Sequence, residues 1–178
     1  MGLLNEGRSR SSIKGLHHHA YRCRDSEETR AFYEDFLGLP LAATLMIETT
    51  KTGRPTRALH TFYAMGERAF LAFFEVPEQP FEFKEQDDYD LHLALEVDEA
   101  ALLPMLEKAR RAGIAARGVS DHEFLRSIYV RDPNGYVIEL TAVTSKHEQA
   151  VDPAMNGARA KLDHWQSAKI RPAPARGG

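Results

Sequence analysis

Residues 127–140 read S-I-Y-V-R-D-P-N-G-Y-V-I-E-L, a pattern of two short β-strands joined by a tight turn. The proline of the turn presets its own backbone φ, and the Asn-Gly pair that follows tolerates positive φ, so these residues favour a hairpin. Alternation along the second strand places Ile138 on one face and Glu139 on the other. A glutamate on the open face of a sheet is most often simply solvated. The rest of the chain gives Glu139 a second interpretation.

The composition is that of a soluble globular protein. Of 178 residues, 43% are hydrophobic and 28% are charged, which is enough for a sizeable core. The net charge of -3 gives no electrostatic basis for binding nucleic acid or an anionic membrane. Because there is no apolar run of membrane-spanning length and no signal core, we expect a cytoplasmic protein. The single cysteine, Cys23, cannot form an internal disulfide and agrees with a reducing compartment.

The first part of the chain predicts one βαβββ module over residues 15–83. A strand over 16–24 is followed by a helix that starts at Asp25 or Ser26 and ends at Gly38. Three strand patterns come next, at 41–49, 56–64 and 69–76. Residues 1–14 are polar, aperiodic and rich in Gly, Ser and Arg, so we expect a flexible N-terminal arm.

The same order of elements starts again after a polar, acidic linker and predicts a second module over residues 88–144. Its first strand, over 91–97, alternates most clearly, and a helix follows over 99–112. Three more strands are predicted at 114–119, 124–131 and 136–143. The internal repeat therefore predicts an α+β fold built from two βαβββ modules.

The tail, residues 145–178, is polar but contains one amphipathic segment. Asp152-Pro153 is a favourable start for a short helix near 153–168. Leu162 and Trp165 lie on its apolar face, and we expect them to pack on the domain or on a second subunit. The last residues, R-P-A-P-A-R-G-G, are expected to be disordered.

Each module carries a histidine on its first strand and a glutamate on its last strand, both expected to point away from the core. The pairs are His18 with Glu75, and His92 with Glu139. If the two sheets formed one cleft, two imidazoles and one or two carboxylates would meet there and suit a divalent transition metal. Each residue alone also has an ordinary structural explanation, since strand histidines are more often hydrogen-bonded than metal-bound. The recurrence at repeat-related positions favours the metal.

Three segments resemble the vicinal oxygen chelate superfamily, namely G-L-H-H-H-A-Y-R-C-R-D (15–25), Y-D-L-H-L-A-L-E-V-D (89–98) and R-D-P-N-G-Y-V-I-E-L (131–140). This superfamily includes glyoxalase I, type I extradiol dioxygenases, fosfomycin-resistance enzymes and bleomycin-binding proteins. The resemblance covers about residues 15–144. It implies paired modules around a U-shaped, mixed-sheet cleft whose metal chelates a substrate through two adjacent oxygens. By motif match, the metal ligands would be His18, His92 and Glu139.

The second module also resembles the signature of the extradiol dioxygenases. The matching positions are His122, Ile128, Tyr129, Asp132, Pro133, Gly135 and Glu139, whereas Ser120 departs from the pattern. By this resemblance, His122 would donate a proton or stabilise bound oxygen, and Tyr129 would position the substrate. Without the motif, a loop histidine and a surface tyrosine would be the preferred interpretation.

Two features connect the chain to glyoxalase I instead. The acid–base histidine that these dioxygenases carry before their second metal histidine is missing, and Glu75 resembles the third of four ligands in glyoxalase I. Three protein ligands leave about three positions on a six-coordinate metal, enough for a catecholate and O₂. A fourth ligand leaves about two. Glu75 would then be either a ligand or, once released, a general base.

We therefore expect an Fe(II)-dependent, extradiol-type dioxygenase that cleaves a catechol-type aromatic diol with O₂. Phe62, Phe73 and Phe124 could line its substrate pocket, although each could instead belong to the core. The first alternative is a glyoxalase-like lyase or isomerase that uses Ni, Zn or Mn with Glu75. The second is a non-enzymatic small-molecule binding or resistance protein. In each case the resemblance implies a ligand with vicinal oxygens, and the modules could pair within one chain or across a homodimer.

Overall fold

The computed structural model describes residues 12–66 and 68–169, so most of the expected N-terminal arm and the expected disordered end lie outside the described residues. The first module is a four-stranded mixed sheet of order β1-β4-β3-β2, in which β1 runs parallel to β4. Its strands are β1 (His18–Arg22), β2 (Leu41–Thr49), β3 (Pro55–Met65) and β4 (Ala69–Glu75).

The helix of the first module begins at a side-chain cap. Helix α1 (Ser26–Arg30) continues directly into a π-helical segment (Ala31–Phe36). The carboxylate of Asp25 accepts hydrogen bonds from the backbone N–H groups of Glu27 and Glu28, at 2.9 and 2.8 Å. This satisfies two of the N–H groups that every helix start leaves unpaired.

The second module repeats this topology with the strand order β5-β8-β7-β6. Strand β5 is again parallel to β8, and the other neighbours are antiparallel. The prediction of an α+β fold with two βαβββ modules is therefore confirmed. The elements are β5 (Leu93–Glu96), α2 (Glu99–Arg111), β6 (Ala116–Asp121), β7 (Leu125–Arg131) and β8 (Val137–Val143).

The hairpin that joins β7 to β8 also joins the two modules. Its carboxylate, Asp132, is 2% exposed and accepts hydrogen bonds from the backbone N–H groups of Asn134 and Tyr136. The hydroxyl of Tyr33, in the first module, donates to the same carboxylate at 2.9 Å. The amide of Asn134 donates to Thr29 in helix α1 at 3.2 Å. One turn thus holds both units through buried polar contacts.

A single hydrophobic core contains the helix-facing residues of both modules. Tyr21 and Phe73 from the first sheet belong to the same cluster as Ile138 and Leu140 from the second. The rings of Tyr21 and Tyr136 lie 4.6 Å apart across the boundary. Because the helix-facing sides share this core, the opposite side of each sheet, here called its open face, looks away from it.

The described part of the tail, residues 145–169, forms two short helices, α3 (His147–Val151) and α4 (Ala158–Ala168). Asp152 starts a turn, since its carbonyl accepts from the N–H of Met155, and the longer helix begins only at Ala158. Leu162 and Trp165 are 48% and 65% exposed, so they do not pack on this chain's own domain. Their packing on a second subunit stays a prediction. None of the helices in the described part of the chain is long and apolar enough to cross a membrane.

Candidate active site

Strand register in the second sheet lines up three polar side chains on its open face. Glu139 in β8 pairs with Tyr129 in β7, which pairs with Arg117 in β6. On its other side Glu139 pairs with Ala94 in β5. Glu139 is only 6% exposed, so it is a buried carboxylate rather than a solvated one. A buried carboxylate requires hydrogen bonds or a cation close by.

Tyr129 and His122 form a hydrogen-bonded chain that leads to Glu139. The Tyr129 hydroxyl donates to Glu139 Oε1 at 3.1 Å, and it therefore accepts from His122 Nε2 at 2.9 Å. Burial, followed by the charge of Glu139, raises the pKa of Tyr129 above its usual range. The phenol consequently stays protonated at neutral pH and remains a donor.

The hydrogen bonds of His92 determine which of its ring nitrogens carries a lone pair. A carbonyl oxygen can only accept, so Nδ1–H donates to the backbone carbonyl of Asp88 at 2.7 Å. In the neutral ring, Nε2 then directs its lone pair at Glu139 Oε2, 3.1 Å away. Two acceptors this close need a proton or a cation between them. His92 and Glu139 therefore fit a metal ion as neighbouring ligands.

The separation of the two acceptors agrees with that interpretation. Nitrogen and oxygen ligands lie about 2.0–2.2 Å from a first-row ion such as Zn²⁺. Two such ligands at a right angle are about 3 Å apart by the same distances. The carbonyl of Asp88 also orients the ring in the way that outer partners of metal-bound histidines usually do.

The third predicted ligand, His18, lies on the other sheet. Its Nδ1 is 2.8 Å from Nδ1 of His17, and its ring is 5.6 Å from that of Phe62. Within residues 12–66 and 68–169, no group of three or more His, Cys, Asp or Glu side chains is placed to hold a metal ion. The structure thus brings together two of the three predicted ligands.

Register also reveals the counterpart of Glu139 in the first module. His92 precedes by two positions the residue that pairs with Glu139, and His18 precedes by two positions Ala20, which pairs with Ala72. Ala72 therefore occupies the glutamate position of the first module. Phe62 pairs with Ala72 and so corresponds to Tyr129. The first module contributes His18 and an aromatic side chain to its open face, but no carboxylate at this position.

Glu75 lies on the opposite face of β4 from Ala72, because it is three positions further along the strand and side chains alternate between the two faces. Its Oε2 accepts a hydrogen bond of 2.7 Å from the backbone N–H of Ser26, the first residue of helix α1. A carboxylate is favoured at this positive end of a helix. Glu75 is therefore hydrogen-bonded to the start of α1, and it does not share the open face of its sheet with His18.

The three phenylalanines that we expected to line the substrate pocket lie in different environments. Phe73 has no exposed surface and packs on Tyr33 with the ring centres 4.7 Å apart, so it belongs to the core. Phe62 lies on the open face of the first sheet beside His18. Phe124 lines a cavity of about 770 Å³ over the second sheet. Its lining residues are Gln86, Asp87, Asp88, Tyr89, His92, Arg117, His122, Phe124, Leu125, Tyr129, Arg131 and Glu139.

Asp88 and Arg117 also line this cavity, although no pattern in the sequence singled them out. The Arg117 guanidinium lies over the Tyr129 ring, 3.8 Å from its centre, and forms an ion pair with Asp88. Strand alternation would place Arg117 on one face of β6, but only the pairing of β6 with β7 sets it against Tyr129. Asp88 lies in the linker, where periodicity carries no information.

Comparison with known proteins agrees with the fold. The profile of the Glyoxalase/Bleomycin resistance protein/Dioxygenase superfamily matches residues 15–140, whereas no curated protein matches the chain significantly. Among solved structures, a glyoxalase/dioxygenase from Nostoc punctiforme has a TM-score of 0.58 and 20% identity, covering 80% of this chain and 99% of that one. The similarity at this identity concerns the fold alone.

Two further structures illustrate the range of proteins with this fold. The fosfomycin resistance protein FosX from Listeria monocytogenes, solved with Mn(II) and sulfate, has a TM-score of 0.57 and 19% identity, covering 76% of this chain and 98% of its own. TnmS3, an antibiotic binding protein from Streptomyces sp. CB03234, has a TM-score of 0.54 and 20% identity, covering 76% of this chain and 100% of its own. On the strength of the profile match, the chain belongs to the Glyoxalase/Bleomycin resistance protein/Dioxygenase superfamily.

Proposed function

We propose that the protein is a metal-dependent, extradiol-type dioxygenase that cleaves a catechol-type aromatic diol with O₂. The observation that supports this most is the connected series His122–Tyr129–Glu139–His92, in which the last two residues face each other as acceptors. His92 and Glu139 are suited to bind a metal. They are linked by hydrogen bonds to His122, which can transfer a proton, and to Tyr129, whose hydroxyl can hydrogen-bond a substrate. All four line one cavity.

In this proposal, His92, Glu139 and His18 hold the metal, with Fe(II) favoured. Bound Fe(II) supplies Lewis acidity and the electron chemistry that O₂ requires. Tyr129, kept protonated, would donate to a substrate oxygen when Glu139 served as a metal ligand. His122 holds a proton at Nε2 within hydrogen-bonding distance of that hydroxyl and can release it to the ring-opened product. Positioned acid–base groups of this kind typically contribute about 10²–10⁴-fold in rate.

We propose further that a second copy of the chain supplies His18. The two open faces look away from the shared core, so His18 and His92 are not directed at each other within one chain. His18 lies on the edge strand β1, and His92 immediately precedes the edge strand β5. An edge strand has unpaired backbone groups that can pair with another chain. A homodimer would bring the two edges together and complete the ligand set.

The glyoxalase-like alternative is weakened by the position of Glu75. That reaction would require Glu75 as a fourth ligand or base on the open face, whereas its carboxylate accepts a hydrogen bond from Ser26 N on the helix side. The non-enzymatic alternative would not require the series of hydrogen bonds from His122 to His92. With three protein ligands, about three metal positions remain for a catecholate and O₂.

The experiment is O₂ uptake by the Fe(II)-loaded protein on a panel of catechols, with detection of a coloured ring-fission product. Turnover should fall about 10²–10⁴-fold in Tyr129→Phe and His122→Ala while iron is retained, since these side chains act on substrate and oxygen. Glu75→Gln serves as the matched carboxylate control and should keep activity. Absence of O₂ consumption on every catechol, with Glu75 bound to the metal by X-ray absorption, would refute the dioxygenase.

A further inference from the structure

We propose that Arg117 forms an anion subsite in this cavity and binds a carboxylate group of the substrate. The aromatic diol would then be a carboxyl-substituted catechol. The diol half of this statement rests on the proposed function. The presence of a carboxylate on the substrate is inferred separately, from the contacts of Arg117 and Asp88 in the cavity.

Arg117 and Glu139 both lie beside Tyr129, so one carboxyl-substituted catechol could reach both groups. Both groups contact Tyr129, the guanidinium over the face of its ring and the carboxylate at its hydroxyl. Tyr129 therefore places the guanidinium and the carboxylate in the same part of the open face. A diol oriented by the groups around Glu139 would direct a ring substituent toward the guanidinium.

Arg117 is the arginine of this cavity whose side chain is available to a ligand. Arg131 also lines the cavity, but its guanidinium donates to the backbone carbonyls of Lys84 and Gly135, at 3.1 and 2.6 Å. The side chain of Arg117 is 55% exposed, and its ionic partner is the carboxylate of Asp88. A planar guanidinium binds a carboxylate through two parallel hydrogen bonds, so a substrate carboxylate can take the place of Asp88.

The exchange would leave the orientation of His92 intact. Asp88 contacts Arg117 through its side chain but His92 through its backbone carbonyl, so the two contacts are independent. The ion pair is solvent-accessible, at 55% and 30% side-chain exposure, and accessible ion pairs are weak. The carboxylates of Asp87 and Glu139 also line the cavity. They would repel a bound anion if the guanidinium of Arg117 were absent.

The test compares 3,4-dihydroxybenzoate with 3,4-dihydroxybenzamide, a neutral molecule of nearly the same shape. Dissociation constants are measured by calorimetry on the full-length protein loaded with Zn(II), so that no turnover interferes. The acid should bind about tenfold or more tightly than the amide, as expected for a charge-assisted pair. Arg117→Gln should remove that preference and lower the affinity for the amide much less than the affinity for the acid.

Asp88→Asn supplies a control whose effect has the opposite sign. It frees Arg117 and keeps the backbone carbonyl for His92, so affinity for the acid should rise while affinity for the amide stays constant. Equal binding of acid and amide to the native protein would overturn the subsite, as would equal losses for both ligands in Arg117→Gln. If the acid preference is observed but O₂ is never consumed, the subsite stands and the dioxygenase proposal fails.

Discussion

Among single residues, the contact between His92 and Glu139 is the one that most favours a metal site. A glutamate that is 6% exposed would be expensive to bury if it faced only a lone pair. The hydrogen bond from His92 Nδ1 to the Asp88 carbonyl leaves Nε2 without its own proton in the neutral ring. The contact therefore becomes favourable when a proton or a metal cation lies between the two atoms.

We predict that metal content separates the two candidate glutamates. Glu139→Gln and His92→Ala should each strip a divalent ion from the purified protein, since each removes a ligand atom. Glu75→Gln should keep the metal and lose about 1 kcal/mol of unfolding free energy, because it weakens a hydrogen bond at the start of α1. Plasma emission spectrometry and urea denaturation measure the two quantities. Full metal content in His92→Ala would contradict the assignment.

At the scale of elements, the β7–β8 hairpin joins the modules and also positions the linker that carries Asp88. The backbone N–H of Lys84 donates to the carbonyl of Asn134 at 2.9 Å. Gly135 adopts a φ of +96°, and a Cβ added there would lie 2.5 Å from the carbonyl oxygen of Lys84. Only glycine allows the linker to approach the turn this closely.

We predict that Gly135→Ala is more destabilising than Gly53→Ala. Both glycines have positive φ, at +96° and +80°, so both alanines should incur a backbone cost of about 1–2 kcal/mol. Nothing lies within 4 Å of a Cβ at Gly53, whereas Gly135 meets the Lys84 backbone. The clash should add about 1–3 kcal/mol, measured as the difference in urea unfolding free energy. Equal losses in the two variants would show that the close approach is absent in solution.

We predict that Tyr33→Phe weakens the contact between the modules and shifts the titration of Asp132. Burial raises the pKa of Asp132 above its usual value, while hydrogen bonds, including that from Tyr33, lower it. Since the folded pKa is the higher one, stability falls as pH rises from the ordinary aspartate pKa through the folded value. Removing the Tyr33 donor should raise that pKa further and extend the loss to higher pH.

The cost of Tyr33→Phe should be about 1–3 kcal/mol of unfolding free energy, because it removes a donor from a buried carboxylate. Carboxyl NMR titration reports the pKa, and urea denaturation at several pH values reports the stability. Tyr89→Phe is the control, since Tyr89 is fully exposed. An unchanged Asp132 titration in Tyr33→Phe would contradict the predicted coupling.

Local sequence patterns predict the two modules and part of the candidate site, but not the contacts that depend on tertiary packing. Both modules were predictable because alternation in strands and apolar spacing in helices are local properties. His92 and Glu139 were predictable from the repeat, since the second module places them two register positions apart. The side of Glu75 was not, because both sides of β4 carry apolar residues and alternation alone does not show which side faces the core. The Arg117–Asp88 contact depends on where the linker packs, which no local pattern specifies.

In the whole molecule, two open faces surround one shared core, and each face holds part of the proposed ligand set. The face of the first module presents His18 with Phe62, and the face of the second presents His92 with Glu139. Neither face holds three metal-binding side chains among the residues that the structure describes. We therefore propose that two copies of the chain together complete each site.

The metal content of a mixed dimer distinguishes a site shared between two chains from a site within one chain. His18→Ala and His92→Ala chains with different affinity tags are co-expressed, and the mixed species is isolated through both tags. If each site combines His18 of one chain with His92 and Glu139 of the other, the mixed dimer contains one intact site and one site that lacks both histidines. We predict about half the native metal content in the mixed species and almost none in either variant alone. A mixed species as empty of metal as the two parent variants would contradict the shared site.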